Sequence, residues 1–350
     1  MLPRLLERIA APAPDLAQAA QRHLDLLTKP PGSLGRLEEL AVRLAVLRGG
    51  APRVERPVIF TFAADHGVAA EGVSAYPQTV TAQMVENFLR GGAAVNVLAR
   101  QAGARLVLAD FGVATPGAFG GALIDRRIAA GTANIAEGPA MSREQAERAV
   151  EAGARLAEEA LDAGADLLAT GEMGIANTTS ASVVTAALTG AAPEAVTGRG
   201  TGIDDVRWRR KIAVVARALA VNRPDPRDPL DVLARTGGFE IAGLVGVIVA
   251  GAAHRVPVVI DGFISTAAAL VAVALAPAAR AALFASHRSP EPGHARALAH
   301  LGLTPYLDLG MRLGEGTGAA LFIHLARAAA LLYSEMATFK SAGVDGPTAT

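Results

Sequence analysis

The residues Pro57-Val58-Ile59-Phe60-Thr61-Phe62-Ala63-Ala64 form an uncharged run rich in β-branched and aromatic side chains, and Asp65-His66-Gly67 follows at once. A run of this kind predicts a strand that is buried on both faces. The change to polar residues and glycine marks where the strand ends. Because ligands of parallel sheets bind beyond the carboxyl ends of the strands, the residues after this run are candidates for a binding site.

Four later segments repeat the pattern of a short apolar run that ends in polar residues or glycine. Alanine-rich helical patterns alternate with these runs, for example Ser142–Ala163 and Ser265–Val273. This alternation predicts an α/β fold with a doubly wound, mostly parallel, Rossmann-like sheet. The four runs, each with the residues that follow it, are Arg105–Ala109 with Asp110-Phe111-Gly112, Asp166–Thr170 with Gly171-Glu172-Met173-Gly174, Val256–Ile260 with Asp261-Gly262-Phe263, and Ala281–Ala285 with Ser286-His287-Arg288-Ser289.

The composition narrows the classes of function. The chain has 350 residues and a formal net charge of zero, so it carries no basic footprint for nucleic acid or for a membrane surface. It has no cysteine, which excludes disulfides, cysteine-ligated zinc and thiol nucleophiles. The longest apolar run, Ile241–Ala253, is too short to span a bilayer, and the first twenty residues lack the apolar core of a signal peptide. We expect a cytoplasmic protein.

Two glycine-rich loops suggest a phosphate-bearing ligand. Gly171–Ser180 joins a predicted strand to a predicted helix and supplies backbone N–H groups that suit an anion. Gly198-Arg199-Gly200-Thr201-Gly202 is a second donor-rich loop, and Lys211, one of only three lysines, follows it. Neither loop is a Walker A or a dinucleotide motif. Taken singly, each is as readily an ordinary turn.

No metal site is expected, because Asp65-His66 is the only adjacent pair of possible ligands at a predicted strand end and no HExxH motif occurs. Asp65 is instead expected to organise its loop or to contact a substrate.

A lone carboxylate among glycines stands near the carboxyl end of the chain, in Leu309-Gly310-Met311-Arg312-Leu313-Gly314-Glu315-Gly316-Thr317-Gly318-Ala319-Ala320. An apolar helical pattern follows directly. We expect the N–H groups and dipole of that helix to hold Glu315 ionised, as a general base requires. The alternative is a glycine-rich turn with a solvated cap.

Taken together, these motifs resemble the nicotinate-nucleotide–dimethylbenzimidazole phosphoribosyltransferase family over nearly the whole chain and in the same order. The resemblance implies a large α/β catalytic domain of residues 29–321, a small helical domain made from residues 1–28 and 322–350, and a homodimer. It implies small-molecule substrates and no cofactor. The matching stretches are Lys29–Glu38, Ala64–Gly67, Glu71–Val73, Gly171–Thr179, Gly237–Glu240, Asp261–Phe263 and Met311–Gly316.

By this resemblance, the reaction moves a 5-phosphoribosyl group from nicotinate mononucleotide to 5,6-dimethylbenzimidazole during assembly of the cobalamin nucleotide loop, with inversion at the anomeric carbon. Glu315 is then the general base and Glu172 a second active-site carboxylate. The implied substrate contacts are Gly174, Asn177, Gly200, Lys211 and Ser289 for the nucleotide, Ser74, Tyr76, Pro77 and Gln83 for the benzimidazole, and Met311 and Leu313 as apolar lining.

Two rival classes remain open. One is another enzyme of the same fold, either a transferase that uses adenine, a phenol or a different base, or a glycohydrolase. The other is a binder without catalysis, which predicts loss of Glu315 or Lys211, although both residues are present.

Overall fold

The computed structural model describes residues 1–115, 119 and 123–346. In that part of the chain, six strands form a single parallel sheet in the order β3-β2-β1-β4-β5-β6. The predicted doubly wound α/β class is confirmed, and this strand order is that of the dinucleotide-binding folds. The strands are β1 (Pro57–Ala64), β2 (Arg105–Gly112), β3 (Ile124–Asp125), β4 (Leu167–Met173), β5 (Val258–Ile260) and β6 (Leu283–Ala285).

All five strands predicted from apolar runs are present. Two of them run further than predicted, so that Asp110 lies within β2 and Glu172 within β4. The reason is that pairing with β1 continues past the apolar residues and sets Phe62 beside Glu172. Strand β3 was not predicted, since two residues are too few to show a period.

Helices cover both faces of the sheet and connect its strands. The described helices are α1 (Leu2–Arg8), α2 (Asp15–Asp25), α3 (Arg36–Arg48), α4 (Val80–Leu89), α5 (Ala94–Ala102), α6 (Arg143–Asp162), α7 (Asn177–Thr189), α8 (Pro193–Val196), α9 (Asp205–Asn222), α10 (Pro229–Thr236), α11 (Phe239–Ala253), α12 (Phe263–Leu275), α13 (Pro292–Leu301), α14 (Thr317–Glu335) and α15 (Phe339–Ala342), with 3₁₀ helices at Gly67–Glu71 and Pro277–Ala282. Among them, α14 has the length and apolar composition to cross a bilayer, and half of its apolar window is buried inside the protein.

Successive side chains of β1 point alternately into two hydrophobic layers, one on each face of the sheet. Val58, Phe60 and Phe62 face the layer built from α1, α6, α7 and α9 to α13. Ile59 faces the opposite layer, which α2, α3, α5 and α14 build. Because every residue of β1 is buried, the strand tolerates no charge along its length, and charged residues appear only after its carboxyl end.

The two ends of the chain meet outside the sheet. Leu27 and Thr338 form an antiparallel bridge, the N–H of Thr28 donates to the carbonyl of Ala337 at 3.0 Å, and the N–H of Phe339 donates to the carbonyl of Leu26 at 3.1 Å. Helix α1 packs instead on α11 and α6. The division into domains at residues 28/29 and 321/322 stays a prediction.

The strand order fixes where a ligand can enter. The chain leaves β1 toward β2 on one side and returns to β4 on the other, so β1 and β4 are neighbours whose connections diverge. A crevice opens at the carboxyl ends of such a strand pair.

Candidate active site

A cavity of about 490 Å³ lies at the carboxyl ends of β4, β5 and β6. Six segments contribute to its wall: the loop before α4 with α4 itself, the β4–α7 junction, the 200–201 turn, the start of α12, the segment around Ser289 and the segment around Glu315. The lining residues are Tyr76, Val80, Met84, Glu172, Met173, Gly174, Ile175, Asn177, Thr178, Gly200, Thr201, Gly262, Phe263, Ile264, His287, Ser289, Glu291, Arg312, Leu313, Gly314 and Glu315.

The backbone of Glu315 is anchored to both central strands. Its N–H donates to the carbonyl of Glu172 at 3.2 Å, and its carbonyl accepts from the hydroxyl of Thr61 at 2.7 Å. Gly171 makes this approach possible, because a Cβ there would overlap the carbonyl of Glu315. Glu315 itself has φ +66°, a left-handed conformation that costs a non-glycine residue about 1 kcal/mol or more. The contacts to β1 and β4 hold that conformation and aim the carboxylate into the cavity.

The carboxylate of Glu315 is stabilised by a different helix from the one predicted. Its Oε2 accepts from the N–H of Val95 at 3.3 Å, at the start of α5. The N-terminus of α14 is occupied by Asp261, which accepts from the N–H groups of Gly316 at 3.2 Å and Ala319 at 3.0 Å. The expectation that α14 holds Glu315 ionised is therefore wrong. Burial raises the pKa of Glu315, the Val95 N–H opposes that rise, and the charge of Asp261 adds to it.

Glu172 is the more strongly perturbed of the two carboxyl groups. It is buried on β4, and its Oε2 accepts from the side-chain amide of Asn177. Burial raises the pKa of Glu172 to about 8, and the nearby charges of Glu240, Asp261 and Glu315 add to the rise, while the Asn177 contact lowers it. At neutral pH Glu172 is mostly protonated and can donate a hydrogen bond. The two carboxyl groups thus sit in unlike environments, the pattern by which one fold separates two acid–base roles.

Lys211 lies behind the cavity wall. Its ammonium is fully buried and donates to the hydroxyl of Thr178 at 2.7 Å. Burial lowers the pKa of Lys211 to about 8, and the charge of Glu291 opposes that fall. Glu291 also accepts from the N–H of Gly200 at 2.8 Å. Gly200, Thr178 and Glu291 all line the cavity, so Lys211 is one residue removed from it.

The residues predicted from the sequence divide into two groups. Glu315, Glu172, Gly174, Asn177, Gly200, Ser289, Tyr76 and Leu313 come together on the cavity wall. Lys211, Ser74, Pro77, Gln83 and Met311 are not on the wall. Ser74 sits beside it, with its hydroxyl 3.5 Å from that of Thr201 and accepting from the N–H of Tyr76 at 3.2 Å.

Helix α4 presents other side chains than Gln83 to the cavity. Val80 and Met84, one helical turn apart, are on the lining, whereas Gln83 is exposed. Gln83 is absent from the lining, although residues three and four apart on a helix both lie near each other, so the orientation of α4 and not the spacing excludes it. The benzimidazole contacts of Ser74, Tyr76, Pro77 and Gln83 stay predictions.

Asp65 organises its loop, as one of its two predicted roles requires. Its carboxylate accepts from the N–H of Ala114 at 2.8 Å and its carbonyl from the N–H of Thr132 at 3.0 Å. The neighbouring His66 is buried between Glu240, at 2.7 Å, and Ser180, at 3.0 Å. Within residues 1–115, 119 and 123–346, no three histidines or carboxylates are grouped to hold a metal ion.

Several lining residues were missed from the sequence. Arg312 lies between Met311 and Leu313, and Glu291 is two residues from Ser289, so both were close in sequence to a residue that was singled out. His287 belongs to the strand-end segment that follows β6 but was given no role. Asp261 follows β5, where the strand-end pattern had marked it, but its role as the cap of α14 had no sequence signal.

The chain is similar to known phosphoribosyltransferases over nearly its full length. A family model described as phosphoribosyltransferase matches residues 9–344. A nicotinate-nucleotide–dimethylbenzimidazole phosphoribosyltransferase from Desulforudis audaxviator is 57% identical over 99% of this chain and 98% of its own. One from Chloroflexus aggregans is 59% identical over 94% of each chain.

The fold agrees as well. The crystal structure of a nicotinate-nucleotide–dimethylbenzimidazole phosphoribosyltransferase from Thermus thermophilus superimposes with a TM-score of 0.90 at 50% identity, over 95% of this chain and 99% of that one. The chain therefore belongs to the nicotinate-nucleotide–dimethylbenzimidazole phosphoribosyltransferase family.

Proposed function

We propose that this protein transfers the 5-phosphoribosyl group of nicotinate mononucleotide to 5,6-dimethylbenzimidazole, giving α-ribazole 5′-phosphate and nicotinate for the nucleotide loop of cobalamin. The observation that carries the proposal is that Glu315 lines the cavity while its backbone is hydrogen-bonded to both central strands, β1 and β4. Membership of the family supplies the substrate pair.

The proposed reaction needs one base. The C1′–N bond of the donor breaks and its electron pair goes to the pyridine nitrogen, so nicotinate leaves without needing a proton. One nitrogen of the benzimidazole forms the new bond to C1′ on the opposite face, which inverts the anomeric configuration. The proton on its other nitrogen passes to Glu315. General-base help of this kind contributes about 10²- to 10⁴-fold.

Glu172 takes the second role by changing its charge. The donor ring is a pyridinium, and a positive charge nearby favours the ionised form of a carboxyl group. Donor binding therefore opposes the rise in the pKa of Glu172 and favours release of its proton to solvent, which leaves a carboxylate on the cavity wall. That charge stabilises the oxocarbenium-like character of the ribose during transfer.

The nucleotide is bound at the end of the cavity that Gly174, Asn177, Gly200 and Ser289 line. The N-terminus of α7 and the hydroxyl of Thr178 contribute donors there, and Lys211 contributes positive charge from behind Gly200. The acceptor base lies toward Tyr76 and Leu313, whose apolar surfaces suit a flat ring.

The test is a product assay. Purified protein is mixed with nicotinate mononucleotide and 5,6-dimethylbenzimidazole, and the products are separated by chromatography. We expect the α-riboside 5′-phosphate and nicotinate in equal amounts. Nicotinate without a riboside would mean hydrolysis, and turnover only with adenine or phenols would mean a different acceptor. Either outcome would contradict the proposal.

We also propose the two-domain division at residues 28/29 and 321/322, a homodimer and a cytoplasmic location. The contacts between Leu26–Thr28 and Ala337–Phe339 support a unit made from both chain ends. Leu26 and Leu331, 61% and 45% exposed, are apolar surface near those ends that a second copy would bury. Sedimentation equilibrium distinguishes a dimer from a monomer.

A further inference from the structure

Among the described residues that line the cavity, Arg312 is the only lysine or arginine. The same lining includes three carboxyl groups, those of Glu172, Glu291 and Glu315. A nucleotide that carries a phosphate dianion has to bind in this acidic surrounding. Hydrogen bonds between a guanidinium and a phosphate are short, frequently bidentate and about twice as strong as neutral ones. Arg312 is therefore the side chain on the cavity wall that suits the phosphate best.

The position of Arg312 points to the phosphate rather than to the nicotinate ring. Its Nη1 donates to the carbonyl of Gly200 at 3.1 Å. On the other side of Gly200, a Cβ would lie 3.0 Å from the ammonium of Lys211 and 2.8 Å from the hydroxyl of Thr178. Arg312, Lys211 and the hydroxyl of Thr178 thus lie around Gly200. Together they provide the donors that a phosphate needs.

The segment that carries Arg312, residues 309–313, is weakly held. Within the described part of the chain, the bond from Arg312 to Gly200 is the one hydrogen bond that this segment makes. Gly310 and Gly314 have left-handed backbones, with φ +65° and +86°. Leu309 and Leu313 are 61% and 59% exposed. In the described part of the chain, only one hydrogen bond would therefore have to break for the segment to move, whereas Glu315 is bonded to β1 and β4.

We propose that Arg312 binds the 5′-phosphate of the donor nucleotide, and that this contact draws residues 309–313 across the cavity and buries Leu313 over the reacting groups. This inference rests on the proposed function for the identity of the donor. Closure excludes water, the competing nucleophile, and uses the binding energy of the non-reacting phosphate to raise turnover.

The first test is a binding cycle measured by calorimetry without an acceptor base. Dissociation constants of nicotinate mononucleotide and of nicotinate riboside, which lacks the phosphate, are compared in the wild type and in Arg312→Ala. We expect the preference for the phosphorylated donor to fall about 10- to 100-fold in Arg312→Ala and less in Arg312→Lys. Arg227→Ala is the matched control, since Arg227 is an exposed arginine that pairs with Asp225 and lies off the cavity wall, so its preference should stay unchanged.

An equal preference in the wild type and Arg312→Ala would overturn the proposal. So would a change confined to the discrimination between nicotinate and nicotinamide mononucleotide, because Arg312 would then bind the ring carboxylate. Since the cycle needs no turnover, it separates this inference from the proposed function, which fails only in the product assay.

The second test addresses closure. Turnover of nicotinate riboside with 5,6-dimethylbenzimidazole is measured with and without inorganic phosphite, which replaces the missing phosphate. We expect phosphite to accelerate the wild type and Arg227→Ala but not Arg312→Ala. Equal acceleration in all three proteins, or none in the wild type, would contradict closure through Arg312.

Discussion

The protonation of Glu172 makes the stability of this protein depend on pH. Its carboxyl group ionises near pH 4.5 when unfolded and near pH 8 when folded. Between these values the folded state holds a proton that the unfolded state has lost, so the contribution of Glu172 to stability falls as the pH rises through this window. Glu172→Gln keeps an acceptor for Asn177 and removes the titration.

We therefore expect Glu172→Gln and the wild type to unfold alike at pH 5, and the variant to be more stable at pH 8.5 by an energy on the order of a few kcal/mol. Urea unfolding at a series of pH values measures the difference. The other buried carboxyl groups, such as Asp261 and Glu315, titrate in both proteins and largely cancel. A difference that does not change between pH 5 and pH 8.5 would show that Glu172 is not protonated in the folded protein.

At the scale of single residues, the sequence identified Glu315 as a candidate base but did not identify the groups that surround it. Glu315 stood out because a carboxylate among glycines before a helix is uncommon. Its real stabiliser, the N–H of Val95, comes from 220 residues away in the chain and leaves no local pattern. Likewise, the sequence alone does not tell whether Gln83 or Met84 lines the cavity, and only the orientation of α4 decides between them.

The contact between α6 and α11 shows why glycine is required inside two helices. A Cβ at Gly246 would overlap the carbonyl of Val150, and a Cβ at Gly153 would overlap the carbonyl of Gly243. The two backbones therefore pack directly against each other beneath the sheet. This close contact supports β1 and β2, against which α11 packs.

We expect Gly246→Ala to lower the free energy of unfolding by about 1–3 kcal/mol, even though alanine favours helices, because the added methyl group forces the helices apart. Gly138→Ala is the control, since no atom lies within 4 Å of a Cβ there, and it should change stability by less than about 1 kcal/mol. Urea unfolding measures both. Equal effects of the two substitutions would show that the α6–α11 interface accommodates the added methyl group without a loss of stability.

At the scale of elements, apolar runs predicted every strand long enough to have a period. The ends of β2 and β4 were misplaced because hydrogen bonding to β1 extends a strand through polar residues such as Glu172. The same extension places Glu172 on a rigid strand instead of a loop, which suits a residue that must be held near a reacting group.

At the scale of the molecule, the pairing of β1 with β4 holds Glu315 at the cavity. The two strands are separated by more than a hundred residues, with β2 and β3 between them in the chain, yet they are neighbours in the sheet. The sequence indicated that the site would be built from strand ends. Which ends would adjoin depends on the strand order, which no local pattern contains.

The most direct test of the central claim, that Glu315 is the base of phosphoribosyl transfer in this cavity, is the turnover number of Glu315→Gln. The amide keeps the shape of the side chain and an oxygen for the N–H of Val95 but cannot take a proton. We expect turnover with nicotinate mononucleotide and 5,6-dimethylbenzimidazole to fall by about 10² or more, while the dissociation constant of nicotinate mononucleotide stays nearly unchanged. Equal turnover in the two proteins would remove Glu315 from the mechanism.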